Sequence, residues 1–175
     1  MRRLMLLRHA KSELAAGGQR DHERTLAPRG RESAPLVGTY MAQHGLIPDK
    51  VLVSTARRAR ETWGLVAPAF RKQPTVAHEE RIYEASPKAI LAALQETDAN
   101  VHALLVVGHN PGLQELGKLL MASGDIDARQ RLIEKYPTAG LAVIDFPIDN
   151  WSDLHAQGGR LDRFVTPRPL ESAPD

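Results

Sequence analysis

Two histidines and a cluster of arginines stand where apolar runs of the chain end, and their types suit the handling of phosphate. Arg8 and His9 immediately follow the continuous run Leu4 to Leu7, and His109 follows Ala103 to Val107 inside Gly108-His109-Asn110-Pro111-Gly112. Ser54 follows a third run, Val51 to Val53, and leads into a stretch carrying Arg57, Arg58 and Arg60. An arginine fork donates two parallel hydrogen bonds to a phosphoryl group and stays charged at any physiological pH. A neutral imidazole keeps one lone pair for attack, and a hydrogen bond to its other nitrogen decides which nitrogen that is. Donors fixed around the equatorial oxygens stabilise the charge that shifts during phosphoryl transfer.

For residues about a hundred positions apart to meet, the elements must converge. The three apolar runs read as buried parallel strands. Helical patterns lie between and after them: Pro28 to His44, a stripe through Ala59, Trp63, Val66, Ala67 and Phe70, then Pro87 to Leu94 and Pro111 to Met121. The last two begin with proline at a suitable first helical position, and Asn110 and Ser54 read as caps. Pro35 suggests a kink or a later start in the first helix, since an interior proline costs roughly 3 kcal/mol. Leu141 to Phe146 and Leu161 to Val165 read as two more strands joined by a long excursion, and residues 167–175 as a loose tail. This alternation predicts a three-layer α/β/α sandwich around a mainly parallel sheet, in one domain spanning residues 1–166. In such a sheet the carboxyl ends of the strands form the ligand-binding edge, so Arg8, His9 and His109 fall on it together.

Composition narrows the classes. With 42% apolar and 25% charged residues in 175, the chain has the balance of a globular domain. The absence of cysteine removes disulfide scaffolds, thiolate zinc sites and cysteine nucleophiles. A net charge of +2 without a basic stripe or aromatic platform does not call for nucleic acid. The run Leu4 to Leu7 is too short for a signal peptide or a membrane span, so a cytoplasmic protein with no membrane partner is expected. His22, His44, His78, His102 and His155 lack metal-ligand spacing, and Gly17-Gly18 lacks the setting of a phosphate-binding loop. No metal and no cofactor is expected.

Three ordered blocks resemble one family. Arg8-His9-Ala10-Lys11-Ser12 resembles the Arg-His-Gly/Ala signature of the histidine phosphatase superfamily, whose fold is phosphoglycerate mutase-like. Ser54-Thr55-Ala56-Arg57-Arg58-Ala59-Arg60-Glu61-Thr62 is similar to its Ser-Pro-x-x-Arg-Ala-x-Gln-Thr block, in a register that matches Arg58 rather than Arg57 to the phosphate-binding arginine. Val107-Gly108-His109-Asn110-Pro111 matches the block with the second histidine. Asp21, Arg24, Leu26 and Gly30 also resemble the stretch after the signature in SixA-type phosphohistidine phosphatases. Thr55, Glu61 and Ala27 depart from the usual Pro, Gln and capping Thr.

The resemblance implies a metal-independent phosphatase in which His9 is the nucleophile and Arg8, Arg58 and His109 form the phosphate pocket. Glu84, in Ile82-Tyr83-Glu84, resembles the setting of the acid that protonates the leaving group in many relatives. Lys11, Ser12 and Arg24 are candidates for the substrate-binding rim, whereas Arg57 and Arg60 read as solvated helix charges. The segment from Glu84 to His102 holds one small helix where larger relatives carry lid-forming insertions. That brevity suggests an open site and favours protein phosphohistidine as the substrate; the resemblance implies a role in signal transduction, and a monomer is expected. Two other readings remain open: a small-phosphoester phosphatase of the same superfamily, which Glu84 favours, and a catalytically silent phosphoprotein-binding module, which the intact Arg8, His9, Arg58 and His109 disfavour.

Overall fold

A computed structural model of the chain describes residues 1–171. Its first strand, β1 (Arg2–Arg8), is fully buried from Leu4 to Leu7, as a continuous apolar run requires when both faces of a sheet are covered. The order along the chain continues with α1 (Pro28–Gln43), β2 (Lys50–Ser54), α2 (Arg57–Val66), β3 (Thr75–Glu79), α3 (Pro87–Leu94), β4 (Ala103–Gly108) and α4 (Gly112–Leu120). Then come β5 (Met121–Gly124), α5 (Ile126–Glu134), β6 (Leu141–Phe146), β7 (Gly159–Val165) and α6 (Pro167–Glu171). The seven strands form one sheet in the order β3-β2-β4-β1-β6-β7-β5. β6 runs antiparallel to both its neighbours, and the other pairings are parallel.

Side-chain alternation divides the core between two faces. Leu4, Leu6, Leu104 and Val106 point to the layer containing Leu94, Leu113, Leu116 and Leu132 of α3, α4 and α5. Met5, Leu7, Leu105 and Val107 point to the other, with Val37 and Met41 of α1 and Trp63 and Val66 of α2. The expected three layers and mainly parallel sheet are therefore present. No helix among the described residues is long and apolar enough to cross a membrane.

The differences from the sequence expectation have local causes. β3 escapes pattern reading because Thr75-Val76-Ala77-His78-Glu79 is a half-exposed edge strand without an apolar run. Met121, expected to end a helix, instead opens the edge strand β5, which pairs with β7. The following helix α5 buries only Ala128 and Leu132, too narrow a stripe to read, although Asp125 caps it by accepting from the Ala128 N–H. Pro35 lies inside α1 without ending it. Phe70 lies beyond α2, after a single turn at Ala67–Ala69, and still packs in the same core. β7 starts two residues before Leu161. The stretch expected to be loose from Pro167 is helical as far as Glu171, with Leu170 packed against the core; residues 172–175 lie outside the described residues.

Candidate active site

The register of the sheet brings the two histidines together. β1 and β4 pair in parallel with Arg8 opposite Gly108, and the His9 N–H donates to the Gly108 carbonyl at 2.9 Å. The next residue of each strand therefore emerges at the same edge, and the His9 and His109 rings lie 5.2 Å apart. β2 lies on the other side of β4, which sets Ser54 beside His109, with Oγ 2.7 Å from Nε2. Ser54 does not cap α2 as expected: the N-cap is Ala56, with no side-chain bond, and Ser54 Oγ accepts from the Ala56 N–H at 3.3 Å while it meets His109. The helix after His109 starts at Gly112 rather than Pro111, which is its flanking residue, and the Asn110–Pro111 peptide bond is cis. Asn110 Oδ1 still accepts from the Gln114 N–H at 3.2 Å.

His9 is oriented by its own loop. Nδ1 lies 2.7 Å from the Ala10 carbonyl, which can only accept, so Nδ1 carries the proton and Nε2 keeps its lone pair. Thr62 holds this loop to α2: its Oγ1 accepts from the Ala10 N–H at 3.0 Å and donates to the Arg58 carbonyl at 2.7 Å. Gly30 holds the loop to α1, because a Cβ there would lie 2.1 Å from the Lys11 carbonyl oxygen. Burial pushes His9 down to about 4, with the charges of Arg58, Arg8 and Arg24 adding to the effect. Burial pushes His109 down to about 3, helped by His9 and Arg58. Both rings are neutral at neutral pH.

Arg8 and Arg58 bring positive charge to the pair. Arg58 is 6% exposed and its Nε donates to His9 Nε2 across a long 3.4 Å. Arg57 points outward to an ion pair with Glu61 at 3.5 Å, and Arg60 donates to the Thr55 carbonyl. Arg8 donates from Nη1 to the Tyr136 carbonyl at 2.8 Å. Arg8 Nε and His109 Nδ1 are buried without a hydrogen-bond partner among the described residues.

Asp21 and Tyr83 join this site although neither was a candidate. Asp21 accepts from Arg58 Nη1 at its backbone carbonyl (2.8 Å) and from Arg58 Nη2 at Oδ2 (3.0 Å). Arg24 Nη1 donates to Oδ1 at 2.9 Å, and the Tyr83 hydroxyl donates to Oδ2 at 2.5 Å. The Tyr83 hydroxyl and the two guanidinium groups hold the Asp21 carboxyl well below the usual carboxylate range. The Tyr83 ring also packs edge-on to His109, with centroids 5.4 Å apart. Asp21 belonged to a block that resembled the family, but its grip on Arg58 spans 37 positions and has no local signature.

The remaining candidates divide. Ser12 Oγ accepts from Arg24 Nη2 at 3.0 Å, so both join the Asp21 side of the site. Lys11 is exposed and faces a different cavity. Glu84 is exposed, sits at φ +50°, and lines a cavity of about 470 Å³ shared with Asp21, Arg58, His109 and Asn110. Glu61, in place of the family's Gln, accepts from the Thr25 hydroxyl and the Leu26 N–H, which ties α2 to the loop before α1. Ala27, in place of a capping Thr, leaves α1 without a side-chain cap. No group of three or more His, Cys, Asp or Glu that could hold a metal occurs among the described residues.

The model of the histidine phosphatase superfamily (branch 1) matches residues 4–90. An uncharacterized protein of Mycobacterium leprae is 36% identical over 169 residues, covering 93% of this chain and all of that one. Among solved structures, a protein assigned as the phosphohistidine phosphatase SixA of Agrobacterium tumefaciens superposes with a TM-score of 0.80 at 30% identity, covering 95% of this chain and 98% of that one. A second protein so assigned, from Nakamurella multipartitia, gives 0.78 at 29% identity over 95% and 96%.

Proposed function

The chain belongs to the histidine phosphatase superfamily, and from that premise we propose that it takes the phosphoryl group from a protein phosphohistidine onto His9 and releases it to water. The observation that carries this reading is the neutral His9 ring, its Nδ1 proton donated to the Ala10 carbonyl and its unprotonated Nε2 met only by the long 3.4 Å contact from Arg58 Nε. Two buried donors with no partner among the described residues, Arg8 Nε and His109 Nδ1, add to it, because such atoms in a folded protein call for a ligand or a chemical role. His109 Nδ1 carries its proton when the Ser54 hydroxyl donates to Nε2, and it then donates to a phosphoryl oxygen.

In the first step the Nε2 lone pair attacks phosphorus while the bond from phosphorus to the substrate imidazole breaks, its electron pair returning to that ring. The leaving ring departs neutral if its other nitrogen already carries a proton. Arg8, Arg58 and His109 donate to the equatorial oxygens as their charge redistributes. The His9 Nδ1 proton stays with the Ala10 carbonyl, which supports the cationic phosphoimidazole. In the second step water attacks phosphorus, the bond to Nε2 breaks with its pair returning to His9, and both protons of the water end on the dihydrogen phosphate released. The positive charge comes from arginines, so no step is routed through a metal.

A protein substrate is favoured by the short segment after Glu84, where α3 is the only helix before β4, and by the likeness to structures assigned as SixA. Glu84 at the cavity rim favours the other reading, a small phosphoester whose alkoxide needs an acid. Second-order rate constants on a phosphohistidine-bearing protein, phosphoglycerates and sugar phosphates decide between them. The highest value is expected on the phosphohistidine protein, and a higher one on any of the esters contradicts the proposal.

A further inference from the structure

A second cavity, of about 410 Å³, opens on the same edge of the sheet beyond β1. β7 and β1 are each antiparallel to β6, so both end at this edge, and Thr166 after β7 lines the cavity while His9 follows β1. The segment from Tyr136 to Ala139 separates the two sites and is held to both. The Tyr136 carbonyl accepts from Arg8, the Ala139 N–H donates to the His9 carbonyl at 3.0 Å, and Pro137 and Thr138 line the second cavity. Lys11, two residues after His9, lines it as well.

The charge of this cavity is one-sided. Five of its lining side chains are Lys or Arg and two are Glu, on a chain whose total net charge is only +2. Lys11 and Lys135 are exposed and have no ion-pair partner among the described residues. Arg29 reaches Glu171 only at 3.8 Å. The uncapped N-terminus of α1, whose first turn carries Arg29, adds its positive end. Phe164 gives the cavity an apolar wall, and Arg131, paired with Asp127, lies 5.7 Å from its ring centroid.

We propose that this cavity docks a carboxylate-rich segment of the phosphoprotein beside its phosphohistidine, an inference that rests on the phosphohistidine reading above. The basic groups are spread over the loop after β1, α1, the end of α5 and the segment after β7. That spread matches several separate single charges, such as successive Asp or Glu side chains, better than one compact dianion. The two lysines, Lys11 and Lys135, are flexible point charges rather than the paired forks that phosphate selects. Charges of this kind act mainly on association and on the choice of partner.

The test uses the full chain and two synthetic phosphohistidine peptides, one with glutamates flanking the phosphohistidine and one with glutamines in their place, together with phosphoimidazole. The wild type should prefer the glutamate peptide in kcat/KM by about tenfold or more, and the preference should shrink with added salt. Lys135→Glu combined with Arg29→Glu should remove the preference, and Lys135→Gln should lower it in part. Turnover of phosphoimidazole should stay unchanged in all of them, which reports that the variants are folded. Equal wild-type rates on the two peptides, or a preference that survives the double substitution, would overturn the docking proposal while leaving the phosphatase reading intact. Failure of the wild type on both peptides and on phosphoimidazole, alongside hydrolysis of a sugar phosphate, would overturn the phosphohistidine reading and this proposal with it.

Discussion

Arg58 and Lys135 stand on two halves of one sheet edge, and the protein treats their charges in opposite ways. On the half built from β2, β4 and β1, Arg58 is buried and fixed by Asp21 through its backbone carbonyl and its carboxylate. The two histidines beside it are buried and neutral, with His9 Nδ1 on the Ala10 carbonyl and His109 Nε2 on Ser54. On the half built from β6 and β7, Lys135 is exposed and unpaired among the described residues. Chemistry at phosphorus needs donors whose positions are settled before substrate arrives, whereas recognition of a flexible acidic segment needs only the sign and the reach of the charge. The contrast predicts that substitutions of the buried, fixed groups on the first half affect every substrate, and those on the second half only extended ones.

The largest effect belongs to the centre of the first half. His9→Ala should abolish turnover of phosphoimidazole and phosphoprotein alike, measured as phosphate release. Turnover surviving near the wild-type rate would break the contrast at its base. Next, Arg58→Ala should lower kcat/KM on the order of a hundredfold or more, as loss of a donor aimed at transition-state charge does. Arg57→Ala, which removes only an exposed ion pair with Glu61, should cost less than about threefold. Equal losses would mean that burial and fixation do not separate the neighbouring arginines.

The pH profile sharpens the same point. Burial holds His9 at about 4 against an ordinary 6.5, so its ring stays neutral as pH falls through the mildly acidic range. With phosphoimidazole, kcat/KM should show no enzyme inflection near 6.5, and the enzyme's contribution should fall only toward about 4. Stability moves in the matching direction: the unfolded chain takes up protons near 6.5 and the folded one does not, so stability should decline as pH drops from about 6.5 toward 4. An inflection near 6.5 in the wild type, absent when His109 is replaced, would show that the rings are not held as described.

The smallest effect is expected at the rim. Glu84→Gln should slow phosphohistidine hydrolysis by less than about threefold, while slowing side activity toward alkyl phosphates by roughly a hundred to ten thousandfold. A large and equal loss on both would make Glu84 an acid in every turnover and favour the small-phosphoester reading.

The two halves also differ in how far they could be read before the fold was known. Arg8, His9 and His109 directly follow continuous apolar runs, and a run of that kind announces a buried strand and its end. Arg58 was separable from Arg57 only through the resemblance of its block, and the structure turns Arg58 inward and Arg57 outward. Asp21 and Tyr83 were not legible as site residues, because Asp21 meets Arg58 only when the loop after β1 folds over α2, and Tyr83 meets Asp21 and His109 only from the separate turn after β3. The second cavity was less legible still. Its charges come from four separate segments, and two of the elements around it, α5 and α6, were not anticipated: one has a narrow apolar stripe and the other only five residues.

Rapid quench of the wild-type protein during turnover of a radiolabelled phosphohistidine substrate tests the central claim most directly. The account predicts a phosphoryl group that is acid-labile and base-stable, located on His9, formed and consumed at rates that match turnover and absent from His9→Ala. Turnover with no phosphorylated protein at any time, or with the label on a residue other than His9, would contradict it.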